Sequence, residues 1–137
     1  MNDENPPICY VLMRTDLPDY LPGKCMAQAH HAGTRFSEQM REHIKGNPVW
    51  LVPYERWLSQ GGGFGTTIIL GVTYPELRRL TAYDLTITLF NGLVHDPSYP
   101  VRDGDRINHM PVDTCGYVFG RLNDCKALLG HLPLFRD

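Results

Sequence analysis

The chain has 137 residues, 42% of them hydrophobic and 20% charged, with a formal net charge of −2. That length and apolar content exclude a disordered chain and suit one domain, large enough to bury roughly two-thirds of its unfolded surface. The balance is not that of a basic duplex-coating protein, so a nucleic-acid partner requires the 13 Lys and Arg to cluster on one face.

The first seven residues, MNDENPP, are polar and proline-ended and read as a loose tail before a single domain over 8–137. Ile8 to Arg14 is an apolar run and the first predicted strand. Thr15 to Gly23 is a loop with Pro18 and Pro22. A helix is predicted from Lys24 to Lys45, with Met26, Ala29, Gly33, Phe36 and Met40 on its inner face, and Gly46-Asn47-Pro48 stops it. Tyr54 to Ser59 reads as a short aromatic-packed helix or turn. Gly61 to Gly65 is the most flexible segment; it precedes a strand, the wrong order for a phosphate loop, and suits a hinge or hairpin-like turn.

Thr66 to Val72 is the second predicted strand. From Tyr74 two periods conflict. Leu77, Leu80, Tyr83, Ile87 and Phe90 keep helical spacing, whereas Leu85, Ile87 and Leu89 alternate with threonines; a helix closed by Asn91-Gly92 is the reading adopted. A strand follows near Leu93, interrupted by an insertion at Asp96 to Pro100. Val101 to Pro111 is polar, and Asp113 to Gly120 is the last strand. Asn123 is read as the cap of a final helix with Gly130 as its left-handed stop.

Cys9, Cys25, Cys115 and Cys125 form no C-x-x-C pair, which sets the expectation of free thiols in a reducing cytoplasm. No apolar run reaches the ~20 residues needed to span a bilayer.

The stretch Pro22 to Phe36 (PGKCMAQAHHAGTRF) carries most of the chemistry. A strand closed by Arg14 and Asp16 leads through a loop to a helix that starts with Lys24. Polar groups at a strand's carboxyl end and a helix's amino end commonly build a site in α/β proteins. A positive charge is mildly unfavourable at a helix start, which favours a functional lysine over a merely solvated one. Gln28 shares its face one turn later. Each other candidate has a bland reading: Asp103 as a turn residue before Gly104, Gln28 as surface, His31 as a buried, satisfied histidine, Cys115 as a strand-packed thiol. His30, His31, His109, Asp103 and Asp105 lack the spacing of a metal site, and neither metal nor cofactor is expected.

These residues resemble the class II peptidyl-tRNA hydrolases. Arg14-Thr15-Asp16-Leu17 fits that family's R-x-D-L. Gly23-Lys24-Cys25-Met26-Ala27-Gln28-Ala29-His30-His31-Ala32 fits its G-K-x-A-A-Q-x-x-H-A without a gap, with Met26 replacing an alanine. The sheet run Thr67 to Val72, the loop Arg102-Asp103-Gly104-Asp105-Arg106, the strand Tyr117 to Gly120 and the tail Gly130-His131-Leu132 follow in the family's order, over about two-thirds of the chain. Departures are Asp105 for a loop glycine, Ile107 for a threonine, Pro111-Val112 for a proline-glycine turn, and Cys115 for the threonine of the last strand, with Thr114 one place earlier.

The resemblance implies an α/β/α three-layer sandwich with a four-stranded mixed sheet. It also implies hydrolysis of the ester between a peptide and the terminal ribose of tRNA. Lys24 and Asp103 would be the catalytic residues, meeting in one open pocket. Gln28, His31, Asp16, Thr114 and Cys115 would support them, His31 by orienting the loop that carries Asp16. Arg14, Arg102 and Arg106 would face phosphate, Arg106 alternatively bracing the loop. The expected partners are the acceptor end of peptidyl-tRNA and a second copy in a homodimer, with no membrane. The substituted threonines and the acidic balance keep a second reading open: a fold relative that binds a nucleotide, an RNA end or a protein without hydrolysis. A third is action on a smaller ester or amide.

Overall fold

Pro7–Arg14 is apolar at nearly every position and forms β1, buried along its length except at Arg14. A strand apolar on both faces needs cover on both. The structure, a computed structural model, describes residues 4–82 and 88–136. Within them β1 is followed by α1 (Pro22–Gly46), a 3-10 turn, α2 (Leu51–Leu58), β2 (Thr67–Val72), α3 (Tyr74–Thr81), β3 (Leu89–Asp103), β4 (Arg106–Arg121) and α4 (Leu122–Leu129). The sheet is mixed, in the order β2-β1-β4-β3. β1 and β2 run parallel with Val11 opposite Ile69; β1–β4 and β3–β4 are antiparallel.

The alternation of β1 sorts the core. Cys9 lies in a cluster with Phe36 and Met40 of α1, Tyr54 and Trp57 of α2, and Tyr117 and Phe119 of β4. Ile8, Tyr10 and Leu12 belong to another, with Leu77 and Leu80 of α3 and Cys125 and Leu129 of α4. Successive side chains point to opposite faces of a strand, so one run of sequence nucleates both clusters.

Several expectations need correction. The buried face of α1 is Cys25, Gln28, Ala32, Phe36 and Met40; the first half is rotated by one residue, and Met26 is 73% exposed. Near Lys24 the helix packs with small and polar groups, so the apolar pattern misreads its inner side. The helix begun at Tyr74 ends at Thr81; Tyr83, Leu85 and Ile87 lie outside the described residues. Leu89 and Phe90 are strand, paired with Gly120 and Phe119. Asp96 to Pro100 does not interrupt β3, because register shifts between Val94 and His95 and between Asp96 and Tyr99 absorb it. An edge strand tolerates Pro97 and Pro100, whose missing N–H groups break no inner ladder. The polar stretch Val101 to Pro111 forms the outer end of the β3–β4 hairpin, and β4 starts seven residues before Asp113.

Asn5 and Pro6, expected in a loose tail, are tied to the start of α4. Leu122 N donates to Pro6 O (2.9 Å) and Asn123 N to Asn5 Oδ1 (2.7 Å), so Asn123 is held by Asn5 and the helix N-cap is Arg121. Gly130 ends α4 at φ −62°, not left-handed. Beyond it, Gly71 N donates to Pro133 O and Phe135 N to Ile69 O, covering the open edge of β2. The glycine run is neither hinge nor hairpin. The amides of Gly63, Phe64 and Gly65 all converge on Gln60 O. Gly65 has φ +75°, and a Cβ there would lie 2.4 Å from the Trp57 ring, so only glycine fits.

No helix among the described residues is long and apolar enough to cross a membrane.

Candidate functional site

The polar groups concentrate where β1 and β2 end, α1 and α3 begin, and the β3–β4 hairpin leaves the sheet. Arg14 closes β1 and acts as a brace. Its Nε donates to Asp16 Oδ1 (2.9 Å), Nη2 to Asp16 O (3.2 Å) and Nη1 to Asp113 O (3.1 Å), and its guanidinium lies 4.2 Å from the Tyr74 ring centre. Asp16 Oδ2 accepts from Tyr74 N (3.1 Å), tying the loop to the start of α3. Partial burial works to raise the Asp16 carboxyl, but Arg14 and the Tyr74 amide outweigh it and hold the group below the ordinary aspartate range. The bracing expected of Arg106 is therefore done by Arg14.

Lys24 meets an acid, and that acid is Asp19. Lys24 Nζ donates to Asp19 Oδ2 (2.6 Å), Asp19 O (3.1 Å) and Pro100 O (2.7 Å), and stands 5.3 Å from the Tyr99 ring centre. An ammonium has three donors, and all three have protein acceptors. Asp19 Oδ2 also accepts from Arg102 N (2.8 Å). The Lys24–Asp19 pair thus fastens the outer hairpin to the loop before α1. Asp19 sits at φ +49°, a left-handed geometry that aspartate tolerates better than most residues. The Lys24 hydrogen bond, then the Arg102 amide, hold its carboxyl below the ordinary value.

Gln28, 3% exposed, is a buried junction and not a surface glutamine. Its Oε1 accepts from Thr114 Oγ1 (2.6 Å) and its Nε2 donates to Asp96 Oδ2 (2.8 Å). Asp96 Oδ1 accepts from Ser98 N (2.9 Å), so both carboxylate oxygens are engaged. Thr114→Val strands the Gln28 oxygen in a buried site, with an expected loss of roughly 1–3 kcal/mol in urea unfolding; Thr114→Ser, which keeps the donor, is expected to lose less. Cys115 is fully buried and its Sγ donates to Gln28 O (3.4 Å). Burial pushes its thiol up to about 12, against the Thr114 hydrogen bond, so it packs and does not react.

The remaining predicted residues stand apart from this junction. Asp103 pairs in register with Arg106 at the exposed end of the hairpin, three residues beyond the Pro100 carbonyl that Lys24 holds. The side chains of Asp103, Arg102 and Arg106 make no hydrogen bond or ion pair among the described residues, so Asp103 does not take the place beside Lys24. His31 is exposed on α1, and the hydrogen bonds of Asp16 go to Arg14 and the Tyr74 amide instead. It lines a groove of about 290 Å³ with Thr34, Arg35, Glu38, His95 and Asp96.

Sequence reasoning missed Asp19, His95, Asp96, Asp113 and Tyr74. Asp113 accepts from Tyr74 Oη (2.7 Å) and Arg78 Nη1 (3.4 Å) at Oδ2, and lies 2.7 Å from His95 Nδ1 at Oδ1. Burial works to raise its carboxyl, but Tyr74, His95 and Arg78 together hold it low. The signal for Asp19 was its place five residues before Lys24 in a proline-flanked loop. The others could not be paired without the strand register.

Compared with protein-family models and with curated proteins, the chain matches none.

Proposed function

We propose that this chain hydrolyses the ester between a peptide and the terminal ribose of tRNA. The observation that carries this reading is the Thr114–Gln28 hydrogen bond, 2.6 Å across 86 residues of sequence. It joins the helix block Gly23 to Ala32 to the final strand, while Arg14 joins the R-x-D-L block to Asp113. Segments that resemble separate motifs of the class II hydrolases thus meet at one corner of the sheet. We read α1 and α2 as one outer layer and α3 and α4 as the other, the α/β/α sandwich that the resemblance implies. A cytoplasmic location belongs to the same proposal; the four cysteines are buried free thiols.

Ester hydrolysis needs an activated water, stabilisation of the carbonyl oxygen as charge develops, and a proton for the leaving ribose. Lys24 supplies positive charge at this corner, and a substrate oxygen would exchange with Pro100 O or Asp19 O. Exchanging one hydrogen bond for another of similar strength costs about 1 kcal/mol or less. The exposed Arg102 and Arg106 extend cationic character along the hairpin, with Asp103 between them. In this proposal they face the acceptor stem.

Lys24's engagement by three protein acceptors favours a second reading, a relative of the same fold that binds an RNA end without cleaving it. Turnover of N-acetylaminoacyl-tRNA separates the two. Release of free tRNA, with binding that weakens steeply as salt rises, is the result expected of the first. Salt-sensitive binding without release would transfer the chain to the second, and neither would discard both.

A further inference from the structure

We infer that His95, oriented by Asp113, is the general base and acid of the reaction, working in the groove between α1 and β3. The inference rests on the hydrolase reading and gives that site a proton carrier which Lys24 cannot be while its ammonium is fully engaged.

The geometry starts with the dyad. His95 Nδ1 is 2.7 Å from Asp113 Oδ1, and the Asp113 side chain is 12% exposed against 53% for His95. An ionised carboxylate only accepts, so Nδ1 carries the proton. The neutral ring then leaves its Nε2 lone pair free, the form a base requires. Asp113 is itself held by Tyr74 Oη and Arg78 Nη1, and Arg14 grips its carbonyl. Those three side chains, two from α3 and one from β1, fix the acid, which fixes the ring.

The groove supplies the rest. His31 and Arg35 sit one helical turn apart on α1 and line it together with His95. Arg35 has no hydrogen bond or ion pair among the described residues, although Glu38 and Asp96 share the groove. Asp96 is occupied by Gln28 and Ser98. A guanidinium without an ion pair, lining the same groove as a carboxylate-oriented imidazole, suits a carbonyl oxygen that gains negative charge. The volume of about 290 Å³ is at the small end for ligand sites and would take the ester and its flanking groups.

The step balances without a further reactant. His95 Nε2 takes a proton from water as the water oxygen bonds to the carbonyl carbon, and the oxyanion faces Arg35. Collapse breaks the bond from the carbonyl carbon to the ribose oxygen, and the proton on Nε2 passes to that oxygen. The products are a free carboxyl end and a free ribose hydroxyl. His95 is the catalytic residue and Asp113 a positioning residue. The charged and titratable groups around the ring are Asp113 and Asp96 from the hairpin, Arg78 and Tyr74 from α3, and His31, Arg35 and Glu38 from α1.

The test is the pH profile of N-acetylaminoacyl-tRNA hydrolysis by the full chain. Wild-type activity should rise with pH along a single limb that reports a base. His95→Gln, at a half-exposed position that should fold, should lose at least ~100-fold in kcat, lose that limb, and regain turnover with added imidazole. Asp113→Asn should lower kcat at least ~10-fold with KM little changed and displace the limb. Because Asp113 also holds Tyr74 and Arg78, its melting temperature is measured alongside, and His95→Gln carries the decision. His95→Gln within about threefold of wild type, with the limb intact, would overturn the inference while the hydrolase reading stood. A wild-type chain inert on both N-acetylaminoacyl-tRNA and N-acetylaminoacyl-adenosine would overturn both.

Discussion

Phe36→Ala is expected to destabilise the protein by about 3–5 kcal/mol in urea unfolding, a large share of what a domain this size has. Phe36 is fully buried, and its ring centre lies 5.0 Å from Phe119, 5.2 Å from both Trp57 and Tyr117, and 5.9 Å from Tyr54. These rings come from α2 and β4 as well as α1. Truncation opens a cavity at their common centre, where no one of them can move in without leaving another. Phe36→Leu, which fills part of the space, should lose less than half as much. A loss under about 1 kcal/mol for alanine would mean that the aromatic cluster is not what joins α1 to the sheet.

Lys24→Met is expected to reduce hydrolysis of N-acetylaminoacyl-tRNA by ~100-fold or more, since it removes the ammonium that Lys24 places at the junction of loop, helix and hairpin. It also leaves Asp19 and the Pro100 carbonyl without their donor. Faster amide exchange at Arg102, whose N–H bonds to Asp19, would report that the hairpin has been unfastened. Lys24→Arg is not expected to rescue, because a planar fork cannot replace a compact ammonium that serves three acceptors at once. Acid should loosen the same contact. The folded Asp19 carboxyl lies below its ordinary value of 3.8, so the fastening is complete above that value and is lost as the pH falls through the lower, folded one. Exchange at Arg102 that is unchanged in Lys24→Met and in acid would remove Lys24 from this role.

The residues that the resemblance to class II hydrolases singled out, Lys24, Gln28, Arg14 and Asp16, gather at one corner of the sheet, but Lys24 pairs there with Asp19 and not with Asp103. Lys24, Gln28, Arg14 and Asp16 stand out in sequence because they fall within one strand-loop-helix unit, whose local geometry is set by residues close together in the chain. Asp103 could be judged only from its turn-like dipeptide, and the reach of the hairpin that carries it depends on pairing with β4. The conflict after Tyr74 has the same origin. Leu89 and Phe90 satisfy a helical period, yet their pairing with Gly120 and Phe119 decides for strand. Tertiary hydrogen bonding outweighs a weak local preference.

Local chain chemistry by itself determined the buried strand Pro7–Arg14, the long helix that begins at the Pro22-Gly23 turn, and the polar cluster between them. Apolar runs and turn residues act over a few positions and need no distant partner. Only the tertiary structure decided that Asp19 holds Lys24, that Gln28 is buried against Thr114, and that Asp113 orients His95. Each of these contacts depends on strand register or on where a loop returns, and a shift of one residue in β4 would turn Asp113 and Thr114 each to the face away from its partners.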